Sequence, residues 1–379
     1  MNKNPAAYES LLPVSRPSIG ADELGEVKKV FDSNWLGLGK WVFEFEGEIK
    51  KFLGAGNAIG TSSGTTALHL ALDALGIKKG DEVMVPSLTF AASVQAIMVT
   101  GATPVFCDIE PDTLNMDVKD AARRITKNVK AIMPVHYCGL ACDMDPIMKM
   151  ARKNKAKVVE DAAHAFGSSY KGRKIGSFGD ATCFSFDPIK NITCGEGGAI
   201  ATNDNELARL IYKKRILGID KDTWSRYKHT RDWFYNVTEL GFRYHMSNIN
   251  AAIGLVQMKK FDDFMRKKRS IIKRYDKEFF GIDGIELLRR DYDNTAPFNY
   301  IIKIKDAKRD DLMRFLKERG IDSGVHYIPN HIQPFFKKFK RELPVTEKVW
   351  KKILTLPLFS EMSDSDIDKV VSSVKTFFK

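Results

Sequence analysis

Lys190 lies in the run Phe184-Ser185-Phe186-Asp187-Pro188-Ile189-Lys190-Asn191, just ahead of Gly195-Glu196-Gly197-Gly198. A lysine held by a tight turn at the mouth of an apolar strand is placed to be a nucleophile whose amine adds to a carbonyl carbon to give an imine. The chain has 60 Lys+Arg, so position alone does not separate Lys190 from a solvated charge. Its companions decide. Thr61-Ser62-Ser63-Gly64-Thr65-Thr66 follows one strand pattern and opens a helix pattern. Glycine there lets the backbone approach an anion, hydroxyls add donors, and the first helical N–H groups are free, which makes a phosphate cradle. Plain helix capping by Ser63 is the other reading. Asp161 closes the run Val158-Val159-Glu160, where a carboxylate either pairs with a protonated ring nitrogen or caps the next turn. His164, three residues on, is either a ligand contact or a satisfied polar side chain. Phe90, in Pro86-Ser87-Leu88-Thr89-Phe90-Ala91, either stacks on a flat ring or packs in the core. Ser185 adds a hydroxyl five residues before Lys190. A phosphate cradle, an acid for a ring nitrogen, an aromatic platform and a lysine together describe pyridoxal phosphate held as an imine.

The elements that position these residues are legible in the hydrophobic pattern. Apolar runs at 58–61, 82–86, 103–108, 131–135, 157–160, 181–186 and 198–202 alternate with helical segments at 66–75, 91–100, 118–125 and 144–154. This alternation predicts an α/β fold with a mainly parallel sheet covered on both faces and ligands at the carboxyl ends of its strands. After Asn203 the pattern changes. A long helix at 247–280 capped by Ser247, a strand at 299–304 and helices at 309–319 and 364–378 read as a smaller α+β unit. The expected division is an N-terminal arm (1–40), a large domain (41–245) and a small C-terminal domain (246–379). The arm is too loop-rich to fold alone and is expected to pack on the small domain or on a partner chain.

Composition narrows the function classes. Hydrophobic residues make up 44% and charged residues 28%, the profile of a soluble globular protein. No apolar run is long enough to span a bilayer, and Met1-Asn2-Lys3-Asn4-Pro5 lacks the apolar core of a signal peptide. Five cysteines without disulfide or metal-ligand spacing fit reduced thiols in the cytoplasm, and no metal is expected. The net charge of +12 admits attraction to phosphorylated partners or a lysine-rich surface. Nucleic-acid motifs are absent, so the surface reading is preferred, with a phosphorylated small molecule second.

The chain resembles the sugar aminotransferases of the DegT/DnrJ/EryC1/StrS family, in the aspartate aminotransferase fold (fold type I, a large domain with a mainly parallel mixed sheet and a smaller α+β C-terminal domain). The resemblance covers nearly the whole length. It is carried by Ser63-Gly64-Thr65, by Pro86 to Phe90, by Gly101-Ala102-Thr103-Pro104-Val105-Phe106 and by Glu160-Asp161-Ala162-Ala163-His164-Ala165-Phe166-Gly167. It continues through Phe184 to Lys190, Gly195 to Gly198, Gly241-Phe242-Arg243-Tyr244-His245-Met246-Ser247, His326-Tyr327 and Leu356-Pro357. It implies pyridoxal 5'-phosphate as cofactor, with Lys190 as imine-forming lysine and proton carrier and Asp161 on the pyridinium nitrogen. Ser63, Gly64, Thr65 and Ser185 fall at the phosphate, Phe90 on the ring, and His164 near the ring hydroxyl. It also implies a homodimer with shared active sites, in which the turn carrying Arg243 reaches the neighbour's phosphate. Many members have asparagine at that position, and Arg243 is open to either the cofactor phosphate or a substrate phosphate. His326, Tyr327, Asn330 and His331 fall where relatives contact the sugar nucleotide, although Asn330 replaces a commoner leucine. The implied reaction moves an amino group from L-glutamate to a nucleotide-linked keto sugar, C4 of a 4-keto-6-deoxy sugar before C3, for cell-surface polysaccharide or amino-sugar biosynthesis such as that of lipopolysaccharide O-antigen. Two rivals are a cofactor-dependent sugar dehydratase, which carries histidine in place of the lysine, and a non-catalytic ligand-binding regulator.

Overall fold

The computed structural model describes residues 11–220 and 235–379. Helices α1 (Ala21–Asp32) and α2 (Lys40–Leu53) lead into β1 (Asn57–Thr61), α3 (Gly64–Ala74), β2 (Glu82–Pro86), α4 (Ala91–Val99), β3 (Thr103–Cys107), α5 (Val118–Arg124), β4 (Val129–Ile132), α6 (Met144–Asn154) and β5 (Lys157–Asp161). A two-stranded hairpin, β6 (Ser169–Tyr170) and β7 (Arg173–Lys174), precedes β8 (Ala181–Ser185), β9 (Gly198–Thr202) and α7 (Asn205–Lys214). The 32-residue α8 (Asn248–Phe279) then leads to β10 (Ile285–Leu287), β11 (Tyr300–Ile304), α9 (Arg309–Glu318), α10 (Pro344–Val349), β12 (Ile353–Leu356) and α11 (Asp364–Phe377).

The large sheet has the order β1-β9-β8-β5-β4-β2-β3. The contacts among β8, β5, β4, β2 and β3 are parallel, whereas β9 runs antiparallel to both β8 and β1. Every residue of β8 and β9 is buried. Strands covered on both faces read as near-continuous apolar runs, which is why these two were visible in the sequence. The expected strand at 131–135 ends earlier, at Ile132, because Pro134 has no N–H to give to the ladder. Its carbonyl still accepts from the Asp161 amide at 2.9 Å, so the chain stays alongside β5 up to the site. The small sheet, β10-β11-β12, is antiparallel.

The N-terminal stretch departs from the loop-rich expectation, since α1 occupies residues within it. An acidic first turn, Asp22 and Glu23, suits the positive end of the helix. Glu23 and Asp22 take Lys260 of α8, at 2.9 and 3.0 Å, so the helix gains its stability from packing on α8. Leu12 and Val14 exchange backbone bonds with Gly320, Asp322 and Leu358 of the C-terminal part.

A buried ion pair anchors β1, whose end feeds the phosphate-cradle sequence. Glu46 and Arg215 are 4% and 1% exposed and paired, Arg215 donates to the Gly60 carbonyl at 2.7 Å, and the Gly60 amide donates to Glu46 at 2.8 Å. Removing one partner leaves a buried charge uncompensated, which costs about 3–5 kcal/mol. Glu46→Ala is expected to lose that much stability in urea unfolding, whereas removing an exposed pair such as Lys28–Asp32 is expected to cost under about 1 kcal/mol. Among the described residues, no helix is long and apolar enough to cross a membrane.

Candidate active site

The site forms at the carboxyl ends of β1, β2, β5 and β8. Ser63 caps α3: its hydroxyl accepts from the Thr66 amide at 3.1 Å, and the Thr66 hydroxyl accepts from the Ser63 amide at 3.0 Å. The capping reading of Ser63 therefore holds for its side chain, which is spent inside the turn. The N–H groups of Gly64 and Thr65 at the helix start have no intrahelical acceptor, and Thr65 is exposed. Gly64 faces Ser185 so closely that an added Cβ would stand 2.8 Å from the Ser185 Cβ, and one on Gly198 would stand 2.4 Å from the Ser63 carbonyl oxygen. Only glycine allows this approach. Overpacking costs about 1–3 kcal/mol, and Gly64→Ala is expected to weaken cofactor binding about tenfold or more in an equilibrium fluorescence titration.

Asp161 ends β5 and is 5% exposed. The Ser93 hydroxyl donates to it at 2.6 Å and the Ala163 amide at 3.1 Å, with no cation bonded to it among the described residues. Burial pushes its carboxyl above the usual carboxylate range, against the pull of Ser93, Ala163 and the Lys190 charge. Behind it, the fully buried Glu160 accepts from Gly179 at 2.8 Å and from Thr182 at 2.6 Å, and faces His136 Nε2 at 3.0 Å. The Cys142 amide donates to His136 Nδ1 at 3.0 Å, so Nε2 carries the ring's N–H and donates it as a hydrogen bond to Glu160. This buried network fixes the strand end that carries Asp161.

Lys190 follows a tight turn in which its amide donates to the Asp187 carbonyl at 3.1 Å. Its ammonium lies 4.3 Å from the centre of the Phe298 ring. Burial lowers its pKa, with Asp187 and Asp161 opposing. The His164 ring stacks on the same Phe298, centres 4.2 Å apart and 19° between planes, and its Nε2 meets the Tyr327 hydroxyl at 3.0 Å. His164 Nδ1 is buried without a hydrogen-bond partner among the described residues. Burial first, then the Lys190 charge, keeps this histidine neutral. Phe90 is 58% exposed, an aromatic face left open, with Tyr327 beside it at 5.6 Å. Phe298 was not singled out in the sequence, where an aromatic just ahead of a strand reads as core.

The four residues expected at a sugar nucleotide separate into two pairs. His326 and Tyr327 border the lysine: His326 is pushed down to about 4 by burial and by the Lys190 charge, and Tyr327 holds His164. Asn330 and His331 are 1% and 0% exposed, which removes them as open contacts. Asn330 donates to the Ser87 carbonyl at 3.1 Å and the Thr89 carbonyl at 2.8 Å, while His331 Nδ1 pairs with the Ser87 hydroxyl at 2.7 Å. Both clamp the turn that presents Phe90. A leucine could not satisfy those carbonyls, so Asn330 is explained by the turn. Arg243 is exposed, and its neighbour Tyr244 accepts from the Ser62 amide at 2.7 Å.

The residues fit pyridoxal phosphate: an open aromatic face, a buried carboxylate without a cation, an unpartnered imidazole nitrogen, and a glycine-lined turn with free N–H groups beside an amine. The model of the DegT/DnrJ/EryC1/StrS aminotransferase family matches residues 17–375. The chain belongs to this family. It is accordingly an aminotransferase, and its cofactor is pyridoxal phosphate. The spore coat polysaccharide biosynthesis protein SpsC of Bacillus subtilis is 41% identical over 378 residues, covering 97% of each chain. The sugar aminotransferase CalS13 from Micromonospora echinospora superposes with a TM-score of 0.89 at 30% identity, covering 97% of this chain and 100% of its own. Spr1654 from Streptococcus pneumoniae, solved in its PLP-form, gives a TM-score of 0.90 at 30% identity over 97% of this chain and 98% of that one, and it has also been solved in a PMP-form.

Proposed function

We propose that this aminotransferase moves the amino group of L-glutamate to the keto carbon of a sugar carried on a nucleoside diphosphate, at C4 of a 4-keto-6-deoxy sugar, in the synthesis of cell-surface polysaccharide or amino sugar in the cytoplasm. The observation that carries the reading is the placement of the Lys190 amine and the neutral His164 ring against the same Phe298 ring, with Tyr327 joining His164 to the open ring of Phe90. The likeness to a spore coat polysaccharide protein and to a sugar aminotransferase supports the substrate class.

Bound pyridoxal phosphate supplies an electron sink for the charge left when a substrate C–H gives up its proton. The chain's residues do the rest. Gly64 and Thr65 offer backbone N–H groups to the phosphate, with the Thr65 and Ser185 hydroxyls. Asp161 holds the ring nitrogen protonated, so that the sink stays cationic. Phe90 and His164 would help to hold the ring, Phe90 by its exposed aromatic face and His164 by its unpartnered Nδ1. The Lys190 amine is the nucleophile and then carries a proton between the substrate carbon and the cofactor. His326 and Tyr327 are offered to the sugar nucleotide. Arg243 reaches the phosphate region of a second copy in a homodimer.

A panel of keto-sugar nucleotides with L-glutamate, read by mass spectrometry, tests the reading. The expected product is a 4-amino sugar nucleotide. A 3-amino product would move the proposal to C3, and no aminated product from any keto sugar would end it.

A further inference from the structure

A cavity lies between α8 and the segment that leads into β11. About 40 Å³ of it is open to the centre of a water-sized sphere. One water needs roughly 10–15 Å³ on that measure, so the space holds about three. Arg269 and Ile272 line it from α8, and Leu288, Thr295 and Asn299 line it from the segment. None of the residues assigned to the cofactor or to the sugar nucleotide lines it. The cavity still backs onto the active site. Pro297 and Asn299 in its wall flank Phe298, and the Phe298 amide donates to the carbonyl of Cys138, another wall residue, at 3.3 Å.

Two polar groups on this wall are orphaned. Asn299 is 4% exposed, and its side-chain nitrogen is buried without a hydrogen-bond partner among the described residues. The Thr295 hydroxyl is buried and unpartnered in the same way. Buried polar groups are nearly always paired, so two orphans on one cavity call for an acceptor from a ligand. The acids nearby are engaged elsewhere. Asp291 accepts from the Asn294 amide at 3.1 Å and from its side chain at 2.9 Å, and Asp276 pairs with Arg290 at 2.9 Å. Arg269 donates from Nε to the Thr295 carbonyl at 3.2 Å, which places its guanidinium at Thr295, and among the described residues no carboxylate pairs with it.

We propose that this cavity is a second binding site, one that takes a small aliphatic carboxylate: its oxygens meet the Arg269 guanidinium, the Thr295 hydroxyl and the Asn299 amide, and its short chain meets the apolar wall. The chemistry selects the ligand class. A carboxylate accepts on both oxygens and donates nothing, which matches a set of donors. An arginine fork suits such a pair of oxygens. Leu140, Ile272, Leu288 and Pro297 form much of the remaining wall. A phosphate would bury oxygens against those side chains with no donor to meet them, and an alcohol would leave Arg269 without an anion. The volume admits few atoms beyond the carboxylate itself. A ligand held there joins α8 to the segment that carries Phe298.

The test uses the full-length holoenzyme and propionate labelled with ¹³C at the carboxyl carbon, titrated by carbon NMR. One saturable site per chain is expected, with 1-propanol and methylphosphonate at least about tenfold weaker. Arg269→Met and Asn299→Leu are each expected to weaken propionate about tenfold or more, with circular dichroism and the cofactor absorbance unchanged. If one variant folds poorly, the other carries the expectation. Crystals grown with propionate are expected to show it between Arg269 and Asn299. The proposal is overturned by the absence of saturable binding, by propanol binding as tightly as propionate, by binding retained in a folded variant, or by propionate found only beside Lys190. No turnover is needed, so failure here is distinct from failure of the assigned reaction.

Discussion

Lys190→Ala is expected to lower amino transfer by about four orders of magnitude or more, the scale seen when an enzyme's nucleophile is removed. The side chain is both nucleophile and proton carrier, so no other group takes over. His164 is neutral but already engaged with Tyr327 through Nε2, and Lys268 lies behind the turn with Asn191. The fold should survive, because Lys190 contributes a contact over Phe298 and a backbone bond that alanine retains. Steady-state rates with glutamate and the keto-sugar nucleotide, beside a thermal melt, check both halves. A variant with full turnover would remove Lys190 from the chemistry.

Asp161→Asn is expected to divide activity from stability. Its carboxylate is needed to keep the ring nitrogen protonated, and losing such a preorganised charge costs about 10²–10³ in turnover. In the cofactor-free protein the same carboxylate is a burden, because burial raises its pKa above the ordinary range. A carboxyl with a folded pKa above its unfolded one costs nothing at pH below both values. The cost grows as pH rises through that interval and is complete above the folded value. Asp161→Asn removes it and keeps one acceptor oxygen for the Ala163 amide, while the Ser93 hydroxyl, which donates to the other oxygen, turns to accept from the new NH2. The melting temperature of the cofactor-free variant should exceed the parent's at pH 7, and the difference should vanish below the usual carboxylate range. A variant less stable at pH 7 would show that the carboxylate contributes to the empty fold.

Much of this was legible in the sequence for identifiable reasons. Strands buried on both faces gave uninterrupted apolar runs, and Ser247 accepts from the Asn250 amide at 3.2 Å, as expected of an N-cap. Asp161, His164 and Lys190 follow strand ends, where a parallel sheet presents its ligands. What escaped depends on contacts between distant segments. Phe298 matters because it meets Lys190 and His164 from far along the chain. Asn330 and His331 looked like polar groups available to a sugar, yet their partners lie 241 to 244 residues away in the Ser87–Thr89 turn. Helix α1 escaped because the N-terminal stretch reads as loop-rich, and its support is packing on α8. Lys268 was one charge in a lysine-rich helix until its burial was seen.

The most direct test is the visible absorbance of the purified protein with pyridoxal phosphate as substrates are added in turn. L-Glutamate alone should bleach the band, and a nucleoside-diphosphate 4-keto-6-deoxy sugar should then restore it with formation of the amino sugar. Neither change should occur in Lys190→Ala. A band unmoved by glutamate, or a sugar converted without gaining nitrogen, would contradict amino transfer between these two substrates.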